Sequence, residues 1–342
     1  MSRRIETILF YSSVNNLIDF EIQGFYREDV GLLKRLGYQV VCTNKLMDFL
    51  TLEYDVAFLY FYKKAAIAAF FARIKYKKVY FTGGVDDLAE SMEISFFRKV
   101  LFKFLFVICY FFSHKINIVS LSDYDNVLRI LKLIKINSLK ILNFPHSTAI
   151  LNLTLNCEFK TNDFISICWM STIGNVKRKG LDKALVFFSS IYDISPDSKF
   201  YIVGTLGDGS DYLKSLDVYQ RIKDRVVFTG FITDQAKSSL LCSSAYYIQF
   251  SNYEGFGLAA LEANFHKCFI FHSGSGGFLI SNDIWGKEIN MSTQLDKEGV
   301  ALVIEELNYI EELRQFNFRF DSFVSKYSSE NRLNNFKKML YD

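Results

Sequence analysis

Proline is almost missing from this chain: two residues among 342. That excludes an organisation built on proline-rich linkers. Cysteine occurs six times, at 42, 109, 157, 168, 242 and 268, but no two stand at a short paired spacing. The density is far below that of a disulfide framework, so six reduced, buried thiols in a reducing cytoplasm are expected. Histidine is equally scarce; positions 114, 146, 266 and 272 show no zinc spacing, which favours structural roles, with His272 at a strand end the one to watch. Charge of either sign is nearly balanced, at a net +3, so the overall field gives no case for nucleic acid. No apolar run approaches the ~20 residues of a bilayer span. The opening "MSRRIETILFYSS" has a short apolar run and no cleavage-like site, and is read as no signal peptide.

What the chain has in abundance is apolar and aromatic residues: 50% hydrophobic, with 35 Phe and 20 Tyr. Such a composition excludes disorder. Short β-rich runs alternate with helical segments. The strand candidates are "IETILFYS", "YQVVCTN", "YDVAFLYFY", "KKVYFTG", "INIVSLS" and "LKILNF", then "FISICWM", "KFYIVG", "RVVFTGF", "AYYIQFS" and "CFIFHS". Runs apolar on both faces suit parallel sheets covered by helices. Two βα series in one chain predict two doubly wound α/β domains, 1–158 and 159–325. A C-terminal helix, 326–342, is expected to pack back on the first. In such sheets ligands bind beyond the carboxyl ends of the strands, so motifs at strand-to-helix turns matter most.

Three motifs sit at such turns in the second half. "SNYEGFGLAALEANF" places Glu254 in the turn after a strand and Glu262 in the second turn of a helix starting near Gly257. Carboxylates there accept hydroxyl hydrogen bonds, while the amides of Phe256, Gly257 and Leu258 and the helix dipole suit a phosphate. A nucleotide sugar carries both kinds of group; a capping Glu254 and a solvated Glu262 are the plainer alternative. "KRKGLDKAL" sets Arg178 and Lys179 before Gly180 and a helix start, where basic groups oppose the dipole and a diphosphate would account for them; a solvated charge cluster is the competing reading. "FHSGSGG" adds a glycine turn. The glycines of "VGTLGDGSD" do not fit the dinucleotide fingerprint, and read as a loop.

"EGFGLAALE" resembles the Glu-x7-Glu motif of retaining glycosyltransferases of the GT-B fold, family four in particular. "RKGLDKAL", "VVFTGFITD" and "GSGG" resemble that family's phosphate-binding segment, base-contacting loop and glycine turn, and "GFYREDVGLLKRLGYQVV" its opening glycine loop at Gly24. The resemblance implies two Rossmann-like domains facing each other across a cleft. It implies that Glu262 binds ribose, Glu254 the transferred sugar, Lys179 with Arg178 the leaving diphosphate, and Phe231 and Ile232 the base. Donor contacts would also come from Phe256, Gly257, Leu258 and Gly24. Ile173 stands where many relatives have an arginine, and "YFTGGVDDL" lacks their histidine, leaving Asp86 and Asp87 as candidates for acceptor or sugar hydroxyls. The implied activity is metal-independent transfer, with retention and no cofactor, to a glycan or lipid-linked glycan in cell-surface polysaccharide synthesis. A non-hydrolysing nucleotide-sugar epimerase and a binding-only scaffold are the alternatives.

Residues 94–120 contain no acid and are very apolar, with Arg98, Lys99 and Lys103 on one helical arc. Over 94–115 they read either as a core helix or as an interfacial face for an anionic membrane. A cytoplasmic protein is expected in either case, and the second reading would make it peripheral on the inner face of the plasma membrane.

Overall fold

The computed structural model describes residues 5–85, 88, 95–148, 157, 160–195, 197–295, 297–305 and 309–341. The chain divides into two units, Met1–Ala149 with Ser325–Asp342, and Ile150–Val324. Unit 1 holds β1 (Thr7–Tyr11), β2 (Gln39–Thr43), β3 (Val56–Tyr60), β4 (Lys78–Gly83), β5 (Lys115–Ile118) and β6 (Ile141–Leu142). Their order is β2-β1-β3-β4-β5-β6, and every neighbouring pair is parallel. Unit 2 holds β7 (Thr161–Ile167), β8 (Phe200–Val203), β9 (Val226–Gly230), β10 (Ser244–Gln249), β11 (Phe269–His272) and β12 (Gly286–Glu288). Their order is β12-β11-β10-β7-β8-β9, again parallel throughout. Two doubly wound α/β sheets are what the alternating pattern predicts. All eleven expected strands are present; β12, the tripeptide "GKE", has no apolar signal to announce it.

The sheets are covered on both faces, which is why their strands read as continuous apolar runs. In unit 1 all five residues of β3 are buried. One face packs under the alanine-rich helix Ala65–Ile74, whose Ala65, Ala66, Ala68, Ala69 and Ala72 are buried and let it lie close to the sheet. The other face packs Phe10 and Phe58, stacked at 5.6 Å, against the helices Gly24–Arg35 and Ser329–Tyr341. Burying one such ring contributes about 2–3 kcal/mol.

The helix Ser329–Tyr341 is tied in by charge as well. Arg332, in its first turn, is buried and donates from Nε and Nη2 to Asp29 at 2.5 and 2.7 Å. The Tyr60 hydroxyl also donates to Asp29, and the guanidinium lies over the Phe336 ring at 4.9 Å. Burial alone would pull the Arg332 pKa down, but Asp29 outweighs it and the net shift is upward.

The thiol expectation needs correction. Cys157 and Cys242 form a disulfide with a Cα–Cα distance of 4.8 Å, while Cys42, Cys109, Cys168 and Cys268 are free. The partners stand 85 residues apart, so tertiary structure makes the pair and spacing does not reveal it. Cysteine usage therefore no longer argues for a reducing compartment. Among the described residues, no helix is long and apolar enough to cross a membrane.

Candidate functional site

In unit 2 the chain runs outward from β7 to β8 and β9, then returns to lay β10 along the other edge of β7. The strand order reverses between β7 and β10, and ligands of doubly wound sheets bind outside the carboxyl ends at such a reversal. The segments leaving these two strands carry Lys179 and Glu254.

After β7 the chain forms a short helix, Ile173–Lys179, capped at its start by the Thr172 hydroxyl, which accepts from the Asn175 amide. Gly180, at φ 64°, ends it and opens the helix Leu181–Ile194. The dipole argument for Arg178 and Lys179 is thereby reversed. They lie in the last turn of a helix, where a cation is welcome without any bound anion. What remains informative is their placement. A Cβ on Gly180 would sit 2.0 Å from the Phe250 carbonyl oxygen, so glycine lets this turn close onto the segment that leaves β10.

Hydrogen bonds then join the two segments. The Asn252 amide donates to the Arg178 carbonyl at 2.8 Å and its side chain to the Lys177 carbonyl at 3.0 Å. Lys183 Nζ donates to Asn252 Oδ1 at 2.8 Å, and Arg178 Nη1 to the Tyr253 carbonyl at 3.4 Å. The glycine turn after β11 joins from the other side. Ser273 Oγ donates to the Ser251 carbonyl at 2.6 Å, Ser275 Oγ to the Asn252 carbonyl at 3.0 Å. At Gly276, φ is 93° and a Cβ would fall 2.0 Å from the Glu254 carbonyl oxygen. The three motifs are one assembly on one rim.

At its centre Lys179 Nζ forms a hydrogen-bonded ion pair with Glu254 Oε2, the side chains being 20% and 12% exposed. The same oxygen accepts from Gln249 Nε2 at 2.9 Å, and Tyr247 donates to Gln249 Oε1 at 3.1 Å. Glu262 has a different cation: Lys237 Nζ reaches its Oε2 at 2.9 Å and Asp234 Oδ1 at 3.3 Å. Burial pulls the Lys237 pKa down, but Glu262 and then Asp234 outweigh it and raise it. Each glutamate of the motif thus has its own lysine. Lys237, Gln249 and Tyr247 escaped the sequence reading. Gln249 alone had a signal, as a polar residue closing a buried strand.

The helix Leu258–Phe265 follows Gly257, and no side chain caps its amino end. Phe256 and Gly257 are buried and Leu258 half-buried. Phe231, 72% exposed, and half-buried Ile232 lie just past β9. Gly24 is the first residue of the helix Gly24–Arg35 in unit 1. Asp86 and Asp87 lie outside the described residues.

Buried neighbours of the site are held uncharged. Burial lifts the Cys168 thiol to about 11 against the pull of Lys179 and Arg178. It lowers His272 to about 4, and His272 Nδ1 accepts from the Gly274 amide at 3.1 Å, a turn-fixing role. His266, also lowered to about 4, bonds the Glu262 carbonyl and the Ser238 hydroxyl. A hollow of about 920 Å³ in unit 1, lined by Glu6, Tyr38, Tyr80 and Tyr341, lies at the amino ends of the strands, the wrong end of a parallel sheet for a ligand.

A comparison with curated proteins gives no match. Solved structures do share the fold. Anabaena HepE, crystallised with UDP and glucose, superposes at a TM-score of 0.67 with 15% identity over 98% of this chain and 100% of that one. Sucrose-phosphate synthase of Thermosynechococcus elongatus gives 0.68 at 12% identity over 98% of each chain. The apo structure of OtsA gives 0.71 at 10% over 98% and 99%. The fold is the GT-B fold of these enzymes. Residues 171–279, which contain the whole rim from the Ile173–Lys179 helix to the glycine turn, match the family model of glycosyl transferases group 1.

Proposed function

We propose that the protein is a glycosyltransferase that moves a sugar from a nucleoside-diphosphate donor to a glycan or lipid-linked glycan with retention of configuration. The observation that carries this is the Lys179–Glu254 pair at the β7/β10 reversal, inside the segment matched by the family model. In this reading the donor exchanges the pair for better partners. Lys179, with Arg178, turns to the diphosphate, and Glu254, steadied by Gln249, accepts from sugar hydroxyls. Glu262, oriented by Lys237, binds the ribose, and Phe231 and Ile232 border the base. The bond from the anomeric carbon to the diphosphate breaks as the acceptor oxygen attacks from the same face, and the acceptor proton passes to the departing phosphate. Stabilising charge on a leaving group is the kind of electrostatic contribution that commonly dominates catalysis. No cofactor enters this scheme, and cations of the chain neutralise the diphosphate.

HepE is described with UDP-glucose, which puts uridine first among the bases to try. The acceptor class goes with cell-surface polysaccharide assembly at the inner face of a plasma membrane. The test is a thermal-shift screen with uridine, guanosine and adenosine diphosphate sugars, followed by product stereochemistry by NMR. A ligand present at a hundred times its Kd stabilises by about 2.7 kcal/mol. No shift with any donor, or an inverted anomer, ends the proposal. Two observations favour a second reading, a binding-only scaffold: Ile173 occupies the place of an arginine, and Lys179 and Glu254 already satisfy each other. Donor binding with no transfer and no slow hydrolysis selects it.

A further inference from the structure

The helix Phe96–Phe112 buries only Phe106, Cys109 and Tyr110 among its seventeen residues. Its opposite side is apolar too. Phe97, Phe104 and Phe111 repeat every seven residues along one line, at 84%, 60% and 60% exposure, and Val100 and Leu101 fill in between them at 50%. At 100° per residue Arg98 and Lys103 fall roughly 100° to either side of this line. The stripe is about 21 Å long at 1.5 Å per residue.

The neighbouring helix Ala65–Ile74 repeats the design. Its buried side is alanine, and Ile67, Phe70 and Ile74 form an exposed row on the other. Lys64 and Arg73, both exposed, flank that row. The two helices meet where the Phe70 ring lies 5.7 Å from half-buried Phe112, and Lys63 lies over Phe102 at 4.6 Å. A helix on the face of a soluble sheet ordinarily turns polar residues outward, and a contiguous exposed apolar patch marks an interaction surface.

Charge identifies the occupant. Residues 56–85 and 95–122 contain no aspartate or glutamate. A second copy of this chain would bring cation against cation, whereas an anionic bilayer offers acyl chains to the exposed phenylalanines and headgroups to the cations beside them. We propose that this two-helix face docks on the surface of an anionic bilayer, the phenylalanines entering the acyl boundary and the lysines and arginines meeting the headgroups. The proposal deepens the transferase reading, since it brings the enzyme to a lipid-linked acceptor. Lipid docking itself needs no donor, so the two readings fail separately.

The test is co-sedimentation of the full chain with vesicles of phosphatidylcholine alone or mixed with phosphatidylglycerol, at low and high salt. The chain is expected on the mixed vesicles only, and to leave them as salt rises. Phe97→Ser with Phe104→Ser should lower partitioning at least tenfold. Arg98→Gln with Lys103→Gln should lower it about fivefold per charge. All four positions are exposed or at the helix surface, and thermal melts verify that the variants fold; the salt response of the unmodified chain is a check independent of any variant. Absence from mixed vesicles, equal binding to neutral ones, or unchanged partitioning of both double variants overturns the proposal. So does a concentration-dependent dimer in sedimentation velocity that the phenylalanine variants dissolve, which would give the face to a second copy. Donor binding, followed by thermal shift without vesicles, should be untouched by all four substitutions.

Discussion

Replacing Lys179 by methionine and Glu254 by glutamine, singly and together, asks how strongly the central pair is coupled and what the coupling does. Both side chains are mostly covered, at 20% and 12% exposure, so the pair lies between a surface bridge and a core one. At an effective dielectric of about 20, unit charges about 4 Å apart attract by about 4 kcal/mol. Desolvation takes back much of that, and a net coupling of about 1–3 kcal/mol is expected, above the ~0–1 kcal/mol of exposed pairs. Lys179→Met leaves the carboxylate, among the described residues, Gln249 and Ser251 as side-chain donors, and should cost about 2 kcal/mol alone. Glu254→Gln should cost less, because the amide oxygen still accepts from Gln249. Urea unfolding of the four proteins closes the cycle. In turnover, each single variant should lose about 10²- to 10³-fold, and the double variant should be no worse than the poorer single one, since the two residues act on one donor. Wild-type turnover in Lys179→Met, or a coupling energy below about 0.5 kcal/mol, refutes the assignment of this pair as the centre of the site.

Gly276→Ala should destabilise by about 2–3 kcal/mol and abolish transfer, because φ is 93° and the new methyl would meet the Glu254 carbonyl at 2.0 Å; near-native melting with full activity counts against the stitched rim. Arg332→Met should cost about 3–5 kcal/mol by leaving buried Asp29 without its counter-ion, read as a lower urea midpoint, whereas Arg332→Met with Asp29→Leu should recover much of it. His266 and His272 titrate near 4 in the folded chain and near 6.5 when unfolded, so the unfolded chain binds the extra protons between those values. Stability is then full above about pH 6.5 and falls toward pH 4, by at most about 3 kcal/mol per histidine. His272→Asn should flatten that slope in thermal melts from pH 7 to 4.5.

The strands were legible because parallel strands covered on both faces cannot hide their apolar content; β3 is apolar at every position. The convergence of the three rim motifs was legible for a related reason, since the carboxyl ends of neighbouring parallel strands share an edge. Local charge logic failed where one short element went unseen. Ile173–Lys179 buries Val176 alone, too little for a helical period to stand out. Without it, Arg178 and Lys179 look like cations facing a helix amino end, when they finish one. Lys237 was out of reach for another reason: its bond to Glu262 spans 25 residues and rests on how the helix Asp234–Ser243 lies beside β10, which no spacing encodes.

The apolar segment around residues 94–115 shows why its two sequence readings looked exclusive. A helix packed on one side of a sheet covers only part of its circumference, and here the buried arc is that of Phe106, Cys109 and Tyr110. A core helix spends apolar residues on that arc and polar ones elsewhere. This helix is apolar beyond the need of the sheet, and apart from Phe96 at its start the exposed excess gathers about the line of Phe97, Phe104 and Phe111, opposite the core. Burial and the proposed membrane contact therefore fall on different faces of one helix, and composition, which averages over faces, had no means to divide them.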